Sequence, residues 1–144
     1  MSLQLGAVPL QILIVEDNRG DVLLVKEALR ESSLQFELSH VADGEEAVEY
    51  IHRTGEHKGA GRPDLVLLDL NLPKRDGWEV LHELRLEPDL RTTPVVILSS
   101  SGSPDDIRRA ESGGHSIYIR KPSNLEDFLA IGKRIEHFWA SARM

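Results

Sequence analysis

The sequence predicts an α/β domain with a doubly wound, five-stranded parallel sheet in the strand order 2-1-3-4-5 and five helices. Short apolar runs alternate five times with segments whose apolar residues recur at helical spacing. Two of these runs are apolar at every position, as in strands that helices cover on both faces. Such alternation requires parallel strands joined by right-handed crossovers, and the switch point of this strand order lies between strands one and three.

Length, charge and cysteine content exclude several classes of protein. The 144 residues suit one domain spanning 1–144, and we expect no separate output domain. A net charge of −7 argues against a nucleic-acid partner held on a basic surface. The chain has no cysteine, which excludes disulfides, thiolate metal sites and thiol catalysis. Because we find neither a signal-peptide pattern nor an apolar run long enough for a membrane span, we expect a cytoplasmic protein with no membrane partner.

The first strand and helix are marked by an apolar run and a capping residue. Leu10–Val15 is the first apolar run, and it ends at two adjacent acids, Glu16 and Asp17. Asn18 can cap the helix that follows, and Asp21 lies in its first turn. The apolar stripe of this helix is formed by Val22, Val25, Ala28 and Leu29.

The second strand and helix follow a different pattern. Residues Gln35–Val41 alternate between polar and apolar, which indicates a strand closer to the edge of the sheet. Asp43 and Glu46 form the pattern of a capping box, which predicts that a helix begins there. The segment Arg53–Pro63 is rich in glycine and has no periodicity, so we expect a surface loop.

The third strand leads into the stretch around which the chain is organised. Four apolar residues after Asp64 are followed by a lone carboxylate, Asp69, and by a loop with Pro73 and Gly77 that cannot continue a strand. Asp69 therefore lies where the strand ends, in the crevice in which open α/β sheets bind ligands. A carboxylate that only caps a turn would occupy the same position. The helix after this loop ends before Pro88.

The last two strands each end in a polar group. Val95–Leu98 is followed by the hydroxyl of Ser99, and Ile117–Arg120 is followed directly by Lys121. The helix between these strands has Ser103 as its predicted cap and proline at its first position. The final helix carries apolar residues at spacings of three and four, namely Leu125, Phe128, Ile131, Ile135 and Phe138.

The carboxyl ends of strands one and three bring three acids together. Glu16, Asp17 and Asp69 cannot all stay ionised at close range unless a cation or a proton compensates them. Mg²⁺ keeps several waters and takes few protein carboxylates, so it suits this sparse set better than Ca²⁺ does. Ser99 and Lys121 arrive from strands four and five. A metal, a hydroxyl and an ammonium group together provide what a phosphoryl group needs.

These motifs resemble the receiver domain of two-component response regulators, the CheY-like family, over nearly the whole chain. The matching segments are Val15-Glu16-Asp17-Asn18, Asp43-Gly44 with Ala47, Leu68-Asp69 with Pro73, Asp76 and Gly77, Ser99 after an apolar run, and Lys121-Pro122. The segments that look like stand-alone regulators of bacterial phytochrome histidine kinases are the loop at 53–63, Asn71-Leu72-Pro73-Lys74 and Phe138-Trp139. The resemblance implies the flavodoxin-like receiver fold.

The resemblance implies a role for each site residue. Asp69 would take a phosphoryl group from a phosphohistidine on a sensor histidine kinase. The implied ligands of Mg²⁺, for which Mn²⁺ can substitute, are Glu16, Asp17, Asp69 and the backbone carbonyl of Asn71, with Glu16 acting mostly through water. Lys121 would pair with the phosphoryl oxygens, and its bond to Pro122 is expected to be cis.

The resemblance also implies a switch and leaves one surface open. Ser99 would turn toward the phosphoryl group, and Tyr118 would follow as the aromatic switch residue. Tyrosine also packs well in strands, so plain core packing is an alternative role for Tyr118. Phe138 and Trp139 place two large aromatic side chains near the end of the last helix, where core packing and a homodimer surface are both open.

The predicted function is that of a phospho-accepting signalling protein, which is not an enzyme acting on a separate substrate. It would catalyse its own phosphotransfer and dephosphorylation and would signal through a changed surface. A phosphohydrolase would need a second acid two residues after the nucleophile, where this chain has Asn71. A nucleotide-binding protein would need a glycine-rich turn after strand one, where Glu16-Asp17-Asn18-Arg19 would repel phosphate. A docking module without phosphorylation is disfavoured because every chemical position is filled.

Overall fold

The computed structural model, which describes residues 8–142, confirms the predicted sheet. Five parallel strands lie in the order β2-β1-β3-β4-β5. The strands are β1 (Leu10–Val15), β2 (Phe36–Val41), β3 (Leu65–Leu68), β4 (Val95–Ser99) and β5 (Ser116–Arg120). The helices are α1 (Arg19–Glu31), α2 (Gly44–His52), α3 (Gly77–Leu86), α4 (Pro104–Ser112) and α5 (Leu125–Ala142). Within the described residues, no helix has the length and apolar character that crossing a membrane requires.

Alternation along the strands divides the apolar side chains between two faces of the sheet. One core lies under α2, α3 and α4, and its strand residues include Leu13, Val15, Val66, Leu68, Val95, Ile97 and Tyr118. The other lies under α1 and α5, and its strand residues include Leu10, Ile12, Ile14, Leu65, Leu67, Val96, Leu98 and Ile119. Strands β3 and β4 contribute side chains to both cores, which explains why Leu65–Leu68 and residues 95–98 contain no polar residue.

The register of the strands brings their carboxyl ends to one edge of the sheet. Val15 of β1 lies beside Leu68 of β3. Glu16 and Asp69 directly follow these paired residues, so the two acids are neighbours across the switch point between β1 and β3. Strands β4 and β5 are paired up to their last residues, so the polar groups that end and follow them reach the same edge.

The helix starts predicted from capping residues are confirmed. Asn18, Asp43 and Ser103 each accept a hydrogen bond from the backbone N–H three residues later. Glu46 reaches back as in a capping box, but it accepts from the N–H of Ala42, one residue before the cap. These bonds satisfy backbone groups that the start of a helix leaves unpaired.

Two glycines allow the loop after β3 to pack closely against neighbouring backbone. A Cβ on Gly77 would lie 2.4 Å from the carbonyl oxygen of Asp69, and a Cβ on Gly44 would lie 1.9 Å from that of Arg75. Both separations are far below van der Waals contact, so a larger residue would displace the loop. The chain that follows Asp69 is therefore held at two positions that only glycine fits.

The predicted surface loop at 53–63 is fastened to the rest of the domain. It contains a short 3₁₀ turn, Gly55–His57. Arg62 donates hydrogen bonds to the carbonyl of Ile51 at 2.7 Å and to Asp89 at 2.8 Å. Because the loop leads into the amino end of β3, it lies at the edge of the sheet opposite the acids.

The predicted cis bond before Pro122 is wrong. Among residues 8–142 no peptide bond is cis, so the Lys121–Pro122 bond is trans. Trans is the lower-energy isomer of such a bond by about 0.5–1 kcal/mol, and a cis bond persists only where its surroundings favour it. Here the backbone N–H of Lys121 bonds the carbonyl of Ser99 at 2.8 Å, and its side chain reaches the acids, with the bond in the trans form.

Candidate functional site

Three acids meet at the carboxyl ends of β1 and β3. One carboxylate oxygen from each of Glu16, Asp17 and Asp69 lies within 4.8 Å of the other two. Glu16 and Asp69 are 2% and 6% exposed, whereas Asp17 is exposed to solvent. Oxygen atoms at these separations can share one metal ion, and hard divalent cations prefer such donors. The chemistry of the donor set therefore fits a divalent metal, and the structure brings together the acids that the sequence indicated.

Backbone amides orient the two buried carboxylates. Asp69 Oδ1 accepts a hydrogen bond from the N–H of Asn71 at 3.1 Å, and Glu16 Oε2 accepts one from the N–H of Asn18 at 3.1 Å. Each bond uses one oxygen of its carboxylate, and the bond to Glu16 lowers the pKa of that group against burial, which raises it. The other oxygen of each carboxylate, Glu16 Oε1 or Asp69 Oδ2, faces the ammonium group of Lys121. The backbone carbonyl of Asn71 as a metal ligand stays a prediction.

Lys121 reaches these acids from the end of β5. Its Nζ lies 2.7 Å from Glu16 Oε1, 2.7 Å from Asp21 Oδ2 and 3.1 Å from Asp69 Oδ2. The Lys121 side chain is only 10% exposed, so it is not an ordinary solvated surface lysine. The three protons of the ammonium group match the three carboxylates around it.

Burial and ion pairing shift the pKa values of this cluster. Burial raises the pKa of Glu16 to about 7, against the hydrogen bond from Lys121, which lowers it. Burial alone would lower the pKa of Lys121, but hydrogen bonds to Asp21 and Glu16 and the charge of Asp69 raise it above its ordinary value. Lys121 is therefore cationic at neutral pH, whereas Glu16 titrates near neutrality.

Asp21 is a member of the site that the sequence analysis did not place there. It lies in the first turn of α1, three residues after Asn18, where an acid is ordinarily explained by the helix dipole. Its ion pair with Lys121 joins residues 100 positions apart in the chain. The available signal was an acid one helical turn after Asp17. It did not indicate a site residue, because acids are common in the first turn of helices that border no site.

Ser99 and Tyr118 are linked through the loop residue Ser101. Ser99 is fully buried at the end of β4, and its Oγ accepts a hydrogen bond from the N–H of Ser101 at 3.4 Å. Tyr118 lies in the core at 7% exposure, and its hydroxyl donates to the carbonyl of Ser101. The Ser101 hydroxyl in turn lies 3.4 Å from Asp106 in the first turn of α4. One residue thus connects β4, β5 and α4.

Phe138 and Trp139 are half-buried on the α5 side of the sheet. Both pack against the core under α1 and α5, so core packing accounts for part of their surface. A mainly apolar groove of about 430 Å³ runs beside them, lined by Ile117, Lys133, Arg134, His137, Phe138 and Ser141. The dimer surface that the sequence left open stays a prediction.

The fold and the site together define a class of protein. It is a doubly wound α/β domain whose switch point carries an acidic pocket suited to a divalent metal, with a largely buried lysine and a buried serine at the same edge of the sheet. Each of these groups follows or ends a strand, as the convergence of parallel strand ends requires.

The chain belongs to the response regulator receiver domain family, whose model matches residues 12–132. A curated relative is the response regulator Rcp1 of Synechocystis sp., which is 42% identical over 131 residues. That alignment covers 91% of this chain and 89% of Rcp1. The resemblance to a receiver domain is therefore confirmed.

Solved structures extend the resemblance to regulators associated with phytochromes. The crystal structure of the phosphorylated cyanobacterial phytochrome response regulator RcpA superposes with a TM-score of 0.84 at 46% identity, covering 93% of this chain and 96% of RcpA. The Mn(2+)-bound form of Rcp1 superposes with a TM-score of 0.82 at 42% identity, covering 91% of this chain and 94% of Rcp1. The narrower resemblance predicted from the loop and helix motifs is confirmed as well.

Proposed function

We propose that this protein is a phospho-accepting response regulator that takes a phosphoryl group onto Asp69 from a phosphohistidine of a sensor histidine kinase. The observation that carries the proposal is the environment of the Asp69 carboxylate. It is nearly buried, it shares an acid cluster with Glu16 and Asp17, and it lies 3.1 Å from Lys121 Nζ. Membership in the receiver family supports a histidine kinase as the phosphoryl donor.

We propose Mg²⁺ as the metal of the acidic pocket, with Mn²⁺ as a substitute. Glu16, Asp17, Asp69 and the carbonyl of Asn71 would hold it, since these groups supply the oxygen donors that Mg²⁺ prefers. When bound, the metal supplies positive charge that neutralises phosphoryl oxygens. A form of the relative Rcp1 has been described as Mn(2+)-bound, which supports a divalent ion of this kind.

Asp69 is the nucleophile in this proposal. A carboxylate oxygen of Asp69 bonds to phosphorus while the bond from phosphorus to the histidine nitrogen breaks, and the nitrogen keeps the electron pair. The N–H of Asn71 holds Asp69 Oδ1, which limits rotation of the carboxylate. Lys121 provides a fixed positive charge beside the oxygens that the phosphoryl group brings, in a position largely shielded from water.

Ser99 and Tyr118 would convert the added charge into a change of surface. If the Ser99 hydroxyl turns to the phosphoryl group, the N–H of Ser101 loses its acceptor. The carbonyl of the same residue accepts from Tyr118, so the loop and the tyrosine would move together. This coupling gives Tyr118 a signalling role in addition to the core packing that the structure gives it.

Labelling with acetyl phosphate in the presence of Mg²⁺ tests the nucleophile. We expect the wild-type protein to be labelled and Asp69→Asn to show no label, because an amide cannot form the acyl phosphate. Asp105→Asn, which alters an exposed acid on α4, is the matched control and should label like wild type. A labelled Asp69→Asn protein would place the phosphoryl group elsewhere.

The similarity to RcpA and Rcp1 supports a kinase of the phytochrome type as the donor. Phosphotransfer from a phosphorylated phytochrome kinase, timed against transfer from an unrelated histidine kinase, tests this pairing. We expect the phytochrome kinase to lose its label to this protein at least tenfold faster. Equal rates would show that the pairing does not depend on this class of kinase.

We also propose that α5 forms a homodimer surface through Phe138 and Trp139. Both aromatic side chains are only half-buried, and the groove beside Phe138 is mainly apolar. Sedimentation of the phosphorylated and unphosphorylated protein at high concentration tests this, with Phe138→Ser as the disruptive variant. A strict monomer in both states would contradict the proposal.

A further inference from the structure

Lys121 has more partners than a phosphoryl site requires, and one of them is the carboxylate of Asp21. Its ammonium group has three protons, and Glu16, Asp21 and Asp69 each lie within 3.1 Å of Nζ. A phosphoryl group on Asp69 would bring further oxygens to the same ammonium. Lys121 can donate hydrogen bonds to those oxygens only if it loses its hydrogen bond to one of the three carboxylates.

The three carboxylates differ in how readily they can be released. Glu16 is 2% exposed and is also held by the N–H of Asn18, so a Glu16 carboxylate separated from Lys121 would remain buried. Asp69 is the site of attachment itself. The Asp21 side chain is 23% exposed, so water can solvate it after release. It also lies in the first turn of α1, where the helix dipole stabilises a free negative charge.

We infer that Asp21 is a positioning residue that holds the Lys121 ammonium before phosphorylation and competes with the phosphoryl group for it. The inference rests on the proposed function and deepens it, because it adds a carboxylate that opposes the phosphorylated state. Asp21 keeps the buried cation compensated while Asp69 is free, and its loss of Lys121 is a cost of phosphorylation. Replacing Asp21 by an uncharged residue should therefore favour the phosphorylated form.

Beryllofluoride, a phosphoryl mimic, in saturating Mg²⁺ measures this competition. We expect Asp21→Asn to bind beryllofluoride about three- to fivefold more tightly than wild type, since a partly exposed ion pair contributes up to roughly fivefold. Fluorine NMR of the bound probe and titration calorimetry report binding without any turnover. Asp21→Ser repeats the test with a side chain too short to reach Lys121.

Asp127 provides a matched control on another helix. It occupies the same position of α5 as Asp21 does of α1, since its N–H donates to the capping Asn124 just as that of Asp21 donates to Asn18. Asp127→Asn removes the same charge from a helix start that does not contact Lys121, so its affinity should stay within about twofold of wild type. Thermal unfolding of each variant without metal confirms that it is folded.

A Lys121→Met background separates competition from general repulsion. If Asp21 acts through Lys121, the gain from Asp21→Asn should disappear once the ammonium is absent. A gain that persists in this background, or an Asp21→Asn protein that binds no more tightly than Asp127→Asn, would overturn the inference. If wild type and Asp69→Asn bind the probe equally, it is the proposed function that fails, so the two failures are distinguishable.

Discussion

Helices α4 and α5 pack on opposite faces of the same edge strand, β5, yet they are held very differently. The 18 residues of α5 bury Phe128, Ile131, Gly132 and Ile135, and this helix packs along α1. The nine residues of α4 bury Ala110. The difference indicates that one face of the sheet anchors the domain, while the helix on the other face can shift at lower cost.

The contact between α5 and α1 is close enough to exclude a side chain. A Cβ on Gly132 would lie 1.9 Å from the carbonyl oxygen of Ala28. Farther along the same pair of helices, the backbone N–H of Ser33 donates to Glu136 at 3.1 Å, and the Ser33 hydroxyl donates to the same carboxylate. Backbone packed this closely leaves little room for one helix to slide past the other.

The contacts that hold helix α4 include one between side chains at the surface and one buried hydrogen bond. The guanidinium of Arg109 lies over the ring of Trp78 on α3, 4.3 Å from its centroid. The Ser116 hydroxyl donates to the carbonyl of Ala110. Such contacts are individually worth about 0.5–1.5 kcal/mol. Because α4 follows the loop that contains Ser101, a change in that loop acts on the weakly held helix.

The largest effect is expected from closing the gap between α5 and α1. Gly132→Ala should lower the free energy of unfolding by about 2–4 kcal/mol, although alanine favours helices by about 1 kcal/mol over glycine. Urea unfolding measures the change. Gly113→Ala at the end of α4 is the control, since a Cβ there meets no atom within 4 Å, and its effect should stay below about 1 kcal/mol. Equal effects of both variants would remove the contrast between the helices.

The stability of the metal-free domain is expected to depend on pH through Glu16, which pairs with Lys121 ahead of α5. Burial raises the pKa of Glu16 from 4.5 to about 7, so the folded state binds more protons than the unfolded state between these values. Stability without metal should therefore fall as pH rises from 4.5 to 7, by roughly 1–3 kcal/mol for this group. Urea unfolding at pH 5 and pH 7.5 measures the fall.

Glu16→Gln should lose this part of the pH dependence, whereas Glu45→Gln, at an exposed acid of α2, should keep it. If Glu16→Gln and wild type lose stability equally between pH 5 and pH 7.5, the raised pKa of Glu16 is contradicted.

A smaller effect is expected from freeing the turn between α4 and β5. Arg85 on α3 donates to the carbonyl of Thr93 at 2.8 Å and to that of His115, in this turn, at 3.3 Å. Arg85→Ala should cost about 1–2 kcal/mol, because it leaves carbonyl groups without these donors. Arg91→Ala, at an exposed arginine of the same region, should change stability by less than about 0.5 kcal/mol. Urea unfolding measures the free energy of both variants. Equal values would show that the hydrogen bonds of Arg85 do not stabilise this turn.

The smallest effect is expected where Arg109 stacks on Trp78. Arg109→Ala should cost about 0.5–1 kcal/mol, as for other exposed cation–π pairs. Arg108→Ala removes the neighbouring exposed arginine and should cost less. A double-mutant cycle with Trp78→Leu isolates the pair, and a coupling energy of zero would show that this contact does not hold α4.

The fold could be predicted because its determinants are local. Apolar runs such as Leu10–Val15, caps such as Asn18 and the alternation of strands and helices act within short segments of chain. Glu16, Asp69 and Lys121 could be placed in one site because parallel strand ends meet at one edge of the sheet. That rule uses strand order alone and needs no side-chain detail.

The rest depends on the reach of individual side chains and on close contacts. The hydrogen bond from Lys121 to Asp21 joins residues 100 positions apart in the chain. Nothing in the sequence indicated it, because the helix dipole already explains an acid in the first turn of α1. The fit of Gly132 against Ala28 requires the distance between two helices, which no pattern of apolar residues specifies. The cis bond before Pro122 was expected by resemblance alone, and no residue pattern near it indicates which isomer forms; the bond is trans.

The loop that Arg62 fastens at the amino end of the sheet offers a practical handle. Added Cβ atoms on Gly59 and Gly61 would meet no atom within 4 Å, and the chain contains no cysteine of its own. Gly61→Cys would therefore create a unique thiol for a fluorophore or spin label, on the side of the domain opposite the acids. Paired with a second label on α4, such a reporter would follow the motion of that helix from a fixed reference point without touching the groups that perform the chemistry.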